Sequence, residues 1–131
     1  MSAHATFKVT NWNEHHMLET EGGSKVTRAT VTMAIEGDVA GEGTVEWLMG
    51  YDGDGHASFV GMERVVGKVG ERSGTFVLQH TGIFDGANAK AHLRVVPGSG
   101  TGDLAGITGE GRLEAGLGSD GVRHIDLDYE L

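Results

Sequence analysis

Residues 93–115, LRVVPGSGTGDLAGITGEGRLEA, decide the fold. Apolar and polar residues alternate from Leu93, a glycine-rich corner follows Pro97, and alternation resumes at Ile107. A period of two marks a half-buried strand, and clustered glycines between two such runs mark a turn. The stretch therefore reads as strand, corner, strand. Gly100-Thr101-Gly102-Asp103-Leu104-Ala105 also matches the GxGxx(G/A) turn of dinucleotide-binding folds. That turn works only where a helix follows, because the helix N-terminus holds the pyrophosphate. Here Gly106, Gly109 and Gly111 follow. Each glycine costs a helix interior about 1 kcal/mol relative to alanine, so the match lacks its context.

The same alternation recurs along the chain. Ala5, Phe7 and Val9 alternate with Thr6, Lys8 and Thr10, and Ala29, Val31, Met33 and Ile35 with Arg28, Thr30 and Thr32. Ala89, Ala91, Leu93 and Val95 form a third series, and Ile125, Leu127, Tyr129 and Leu131 a closing one. Turn signals separate the runs at Glu21–Gly23, Gly37-Asp38, Asp52–Gly55, Gly70–Arg72, Asp85-Gly86, Pro97–Gly102 and Ser119–Gly121. Asn11–Lys25 reads as the longest irregular segment, a flap or a long loop. The cuts leave about eight strands with short links, which predicts antiparallel neighbours. The expected fold is all-β, one domain spanning residues 1–131, an eight-stranded antiparallel barrel in preference to a sandwich. Closure removes sheet edges, and a barrel of this size can hold one small ligand.

Composition excludes several classes. The chain has 131 residues, 23 glycines, one proline and 38% hydrophobic content, which fits neither collagen nor a proline-rich disordered tract. It has no cysteine, hence no disulfide framework, thiolate zinc site or cysteine nucleophile. The net charge of −9 argues against a nucleic-acid partner, which would need clustered Lys and Arg. MSAHATFKV carries no apolar signal core, and no run is long enough to span a bilayer, so a cytoplasmic location without a membrane partner is expected. The seven histidines show no HxH or HxxxH spacing, so no metal site is predicted. Asp52-Gly-Asp54-Gly lacks the glycine and glutamate positions of an EF-hand and reads as a hairpin turn.

Thr44–Tyr51, Ala57–Val66 and Thr75–Phe84 carry apolar residues on both faces, which predicts that both faces are covered. One cover is the barrel interior. The other is a loop or a second copy of the chain, and the expectation is the second copy, giving a homo-oligomer through these strands.

Four motifs carry a family resemblance. Phe59-Val-Gly-Met-Glu-Arg64, Ser73-Gly-Thr-Phe-Val-Leu-Gln-His-Thr-Gly82, Val95-Val-Pro-Gly-Ser-Gly-Thr-Gly-Asp-Leu-Ala-Gly106 and Leu127-Asp-Tyr-Glu-Leu131 together resemble a family of small bacterial proteins known as a domain of unknown function. That family is similar in fold to the allene oxide cyclase barrel, which dirigent proteins share, and the GTG-x-x-x-G corner is the plainest common element. The resemblance implies an eight-stranded antiparallel barrel, often oligomeric. The better-known relatives steer cyclisation or coupling of reactive intermediates. No catalytic motif of allene oxide cyclase matches residue by residue, so none of its catalytic residues is carried over.

Candidate site residues follow from register. A Gly70–Ser73 loop puts Glu63 opposite His80, and an Asp52–Gly55 turn puts Glu46 opposite Gly61. Glu46, Glu63 and His80 then share a face with Phe59, Phe76, Leu78 and Phe84. Ionisable groups among aromatics suit acid–base work, because desolvation moves their protonation equilibria. Gly50, Gly61 and Gly82 on that face would leave room for a ligand. Trp47, Tyr51, Arg64 and Gln79 fall on the other face as further ligand contacts, with Arg64 and Gln79 placed for a carboxylate or an interface. A one-residue slip in either turn reverses these faces. The functional expectation is a barrel that binds an apolar or partly polar small molecule, without a cofactor. In its enzymatic version it is an isomerase or cyclase in which Glu63 and His80 exchange a proton and Glu46 is a second carboxylate. A non-catalytic binding module, and a structural or interaction protein in which Glu63 and His80 merely fix register, are the alternatives.

Overall fold

The computed structural model describes residues 1–19, 21–116 and 123–131, and the Ser119–Gly121 turn expected from the sequence lies outside them. The strands are β1 (Ser2–Glu19), β2 (Lys25–Gly37), β3 (Val39–Tyr51), β4 (Ala57–Val69), β5 (Arg72–Phe84), β6 (Asn88–Val95), β7 (Thr101–Gly102), β8 (Thr108–Gly116) and β9 (Arg123–Glu130). Neighbours pair antiparallel in the order β1-β2-β3-β4-β5-β6-β8-β9, and β9 returns to β1, closing an eight-stranded barrel. The two-residue β7 adds to β5 outside that ring. Among the described residues no helix is long and apolar enough to cross a membrane.

The barrel interior is layered by register. Lys25, Tyr51, Ala57, Phe84, Ala89, Ala115 and Arg123 lie side by side at one end. Thr27, Met49, Phe59, Gly82, Ala91, Leu113 and Ile125 form the next layer. Below them come Ala29, Trp47, Gly61, His80, Leu93, Gly111 and Leu127. Glycines in the lower layers admit large neighbours. A Cβ at Gly61 would stand 2.5 Å from the Trp47 ring, and one at Gly82 would stand 2.5 Å from Phe59. The space expected for a ligand at these two glycines is thus filled by the protein's own aromatics, and Gly50 is on the outer face.

The glycine corner seals the far end. Its Leu104 and Ile107 are fully buried. Thr101 Oγ1 accepts the Thr75 N–H, and Ser99 Oγ accepts that of Val77. A Cβ at Gly74 would lie 2.0 Å from the Thr101 carbonyl, so only glycine lets the corner approach β5 this closely.

Three sequence expectations need correction. Asn11–Lys25 is mostly strand: β1 pairs with β2 out to Glu19↔Lys25, with register shifts between Val9 and Asn11 and between His16 and Leu18. Each bulge inverts the alternation, which is why the segment reads as irregular. The β4–β5 turn is tighter than expected, with Val69 paired to Arg72 and Gly70 at φ 61°, the positive value a type II′ hairpin needs at that position. Glu63 therefore faces Leu78 and His80 faces Gly61. The β3–β4 turn is longer by one residue, so Tyr51 pairs with Ala57. The Asp52 carboxylate accepts the N–H groups of Asp54 and His56 and holds that extra residue in the turn.

Candidate functional site

The two turn corrections have opposite consequences. A shift of two residues between β4 and β5 preserves faces, so Glu63, His80, Phe76 and Leu78 are all buried inside the barrel. A shift of one between β3 and β4 exchanges faces. Trp47 and Tyr51, expected on the other face, line the interior, and Glu46 sits outside opposite Met62. There Glu46 accepts from Arg28 at 2.7 Å and from Thr30 at 3.1 Å, and these hydrogen bonds hold its carboxyl below the ordinary value. Arg64 and Gln79 lie on the outer face, opposite to that of Glu63 and His80, and without Trp47 beside them.

Inside, three side chains form a hydrogen-bonded row. Trp47 Nε1 donates to His80 Nδ1 at 3.3 Å, and His80 Nε2 meets Glu63 Oε1 at 2.8 Å. Because Nδ1 accepts from the indole, Nε2 carries the imidazole proton and donates it to Glu63. Glu63 and His80 are both 0% exposed. The other carboxylate oxygen, Oε2, has no partner among the described residues and occupies the space left by Gly43, where a Cβ would stand 2.0 Å away.

Above this row is a cavity of about 350 Å³. Among the described residues β1 pairs with β9 from Ser2 to Thr6, and the cavity lies beyond that ladder, toward the Tyr51–Arg123 end of the barrel. Phe7, Val9 and Trp12 of β1 wall one side, and Leu113, Ala115, Gly116 and Arg123 the other. Trp47, Met49, Tyr51, Phe59, Phe84 and Ala89 complete it. Of the expected ligand contacts, Trp47, Tyr51, Phe59 and Phe84 line the cavity, whereas Phe76 and Leu78 are packed in the core. Glu63 and His80 do not line it. The Trp47 indole reaches both the cavity and His80, and its ring stands 5.4 Å from Phe59 and 5.7 Å from Trp12.

A polar knot at the mouth escaped the sequence reading. Glu14 Oε2 accepts from Thr27 and from the Tyr51 hydroxyl, both at 2.7 Å, and Oε1 accepts from Trp12 Nε1 at 3.1 Å. Burial pushes the Glu14 carboxyl up, but these hydrogen bonds and the nearby Lys25 charge outweigh it, so the group lies below its ordinary value. Burial, the bond to Glu14 and the Glu14 charge push the Tyr51 phenol up to about 12. Lys25 Nζ sits 4.8 Å over the Tyr51 ring. The knot fixes Trp12 and Tyr51, two walls of the cavity, through β1, β2 and β3. The bulges in β1 hid Trp12 and Glu14, and the sequence around Arg123 carries too short an alternating run to mark its face.

This chain is similar to a protein of unknown function from Shewanella oneidensis MR-1, known from a crystal structure. The two share 28% identity over 100% of this chain and 97% of that one, with a TM-score of 0.82. No curated protein matches the sequence. The family model described as "Protein of unknown function (DUF3224)", the family to which the Shewanella protein is also assigned, matches residues 3–129, and the chain belongs to that family.

Proposed function

We propose that the protein is a small-molecule-binding barrel that takes an apolar or partly polar molecule into the cavity between β1 and β8–β9. The observation that carries this reading is the cavity itself: about 350 Å³, walled by Phe7, Trp12, Trp47, Phe59 and Phe84, and open at one side. Ligand sites are typically concave, apolar and of roughly 300–1,000 Å³. In the catalytic version, a cofactor-free isomerase or cyclase, Glu63 and His80 would exchange a proton with the bound molecule. The Trp47 indole stands between them and the cavity, which favours binding over catalysis. The fold likeness to the allene oxide cyclase barrel belongs to the same proposal and rests on the GTG-x-x-x-G corner at Gly100–Gly106. The test is titration with N-phenyl-1-naphthylamine, whose emission rises in apolar surroundings. Saturable enhancement in the native protein and its loss in Ala115→Trp, which fills the cavity, are expected. No enhancement, or equal enhancement in both proteins, overturns the reading.

A second reading concerns the outer face of β3–β5. Leu48, Val60, Met62, Val66 and Ile83 are each about half exposed there; Leu48 pairs with Val60, Met62 and Ile83 flank that pair, and Val66 lies further along β4 beyond Arg64. The stripe carries both signs, Arg64 on β4 and Glu42 on β3, and an antiparallel copy offers each an opposite charge. We propose self-association through this face. Sedimentation velocity should show a concentration-dependent dimer that Met62→Lys abolishes, and a monomer at every concentration refutes it.

A further inference from the structure

We infer that the cavity selects an anion: a hydrophobic, preferably aromatic, monocarboxylate whose head group meets Arg123. The inference rests on the reading of the cavity as a ligand site and names the class of molecule it takes.

Among the described residues that line the cavity, Arg123 alone carries a charge at neutral pH. It is half-buried at the first position of β9, opposite Ala115, and its side chain makes no ion pair or hydrogen bond with any described residue. Its neighbours across the ladder, Ala115 and Ala89, bring no acceptor side chain. The contrast with the opposite rim is direct. There the Glu14 carboxylate is engaged by Thr27, Tyr51 and Trp12. One rim is thus electrically settled, and the other presents a guanidinium.

Arginine offers a planar fork that matches a carboxylate with two parallel hydrogen bonds. Apolar walls lower the local dielectric and strengthen that pair relative to water. The chain as a whole repels anions, with a net charge of −9, so selection depends on this contact and not on long-range attraction. The body of the ligand meets Trp12, Trp47, Phe59 and Phe84, whose faces suit a flat ring system.

The test compares 2-naphthoate with 2-naphthamide, which share shape and differ in charge, by isothermal titration calorimetry on the native protein and Arg123→Gln. Naphthoate is expected to bind the native protein roughly tenfold or more tighter than naphthamide. In Arg123→Gln its affinity should drop to that of naphthamide, and naphthamide binding should not change, which also shows that the variant is folded. Equal affinities in the native protein overturn the inference and leave the ligand cavity standing. A preference for naphthoate that survives Arg123→Gln also overturns it, because the cation responsible lies elsewhere. Failure of both molecules to bind removes the inference together with the cavity reading.

Discussion

Replacing His80 by leucine should unfold the protein far more readily than any change of volume explains. The imidazole is 0% exposed and serves two neighbours, accepting from Trp47 at 3.3 Å and donating to Glu63 at 2.8 Å. Leucine has similar bulk but neither function. Glu63 would then have no donor on Oε1, and Oε2 already has none among the described residues. Removing one member of a buried pair costs about 3–5 kcal/mol, because the other is left uncompensated. The Trp47 N–H loses its acceptor as well, worth about 1 kcal/mol. The expected loss is about 4–6 kcal/mol. Glu63→Leu/His80→Leu removes both polar groups, and apolar replacement of a whole pair is often neutral. The double variant should therefore lie within about 2 kcal/mol of the native protein. Urea unfolding followed by tryptophan emission measures both. At about 2 kcal/mol per molar urea, the midpoint for His80→Leu should fall by about 2–3 M. A loss under about 1 kcal/mol, or a double variant as unstable as the two single losses added, refutes the argument.

Other expectations concern the sealed end and the mouth. Leu104→Ala at the closed end should cost about 2–5 kcal/mol in the same unfolding assay and leave N-phenyl-1-naphthylamine binding unchanged. Tyr51 ionises at about 12 in the folded protein and at about 10 in the unfolded chain. Its contribution is complete below pH 10 and is lost as pH rises towards 12, so native protein and Tyr51→Phe should converge in urea midpoint over that window. Glu14 shows the opposite sign. Its folded value is lowered, so Glu14→Gln should be less stable than native at neutral pH, and the difference should close as pH falls through the carboxylate range.

The barrel was legible because one wall of each strand is dry. Ala29, Val31, Met33 and Ile35 on β2, or Ile125, Leu127 and Tyr129 on β9, are buried in strict alternation. The glycine corner was legible as a corner because too many glycines follow for a helix. The site was harder, because a face depends on a turn, and a turn depends on one side chain. Asp52 captures two backbone N–H groups and lengthens its turn by one residue. That single residue moves Glu46 out to Arg28 and brings Trp47 in to His80. Glu63 and His80 kept their shared face because the Gly70 turn is shorter by an even number. Their bond is diagonal across the ladder, within reach of long side chains. The mouth was illegible for another reason. The bulges in β1 break the period there, so Trp12 and Glu14 looked like loop residues, although they face Val31 and Ala29 across the ladder.

The central claim is that an apolar molecule sits on Trp47 and Trp12 while His80 and Glu63 remain sealed beneath. The chain has two tryptophans, and both line the cavity, so a ¹⁵N–¹H correlation spectrum carries two indole signals that report on it directly. Titration with 2-naphthamide should shift both indole signals along one saturable curve and leave the His80 ring nitrogens where they were. Binding that moves neither indole contradicts the account, and binding that moves the His80 nitrogens most contradicts the seal.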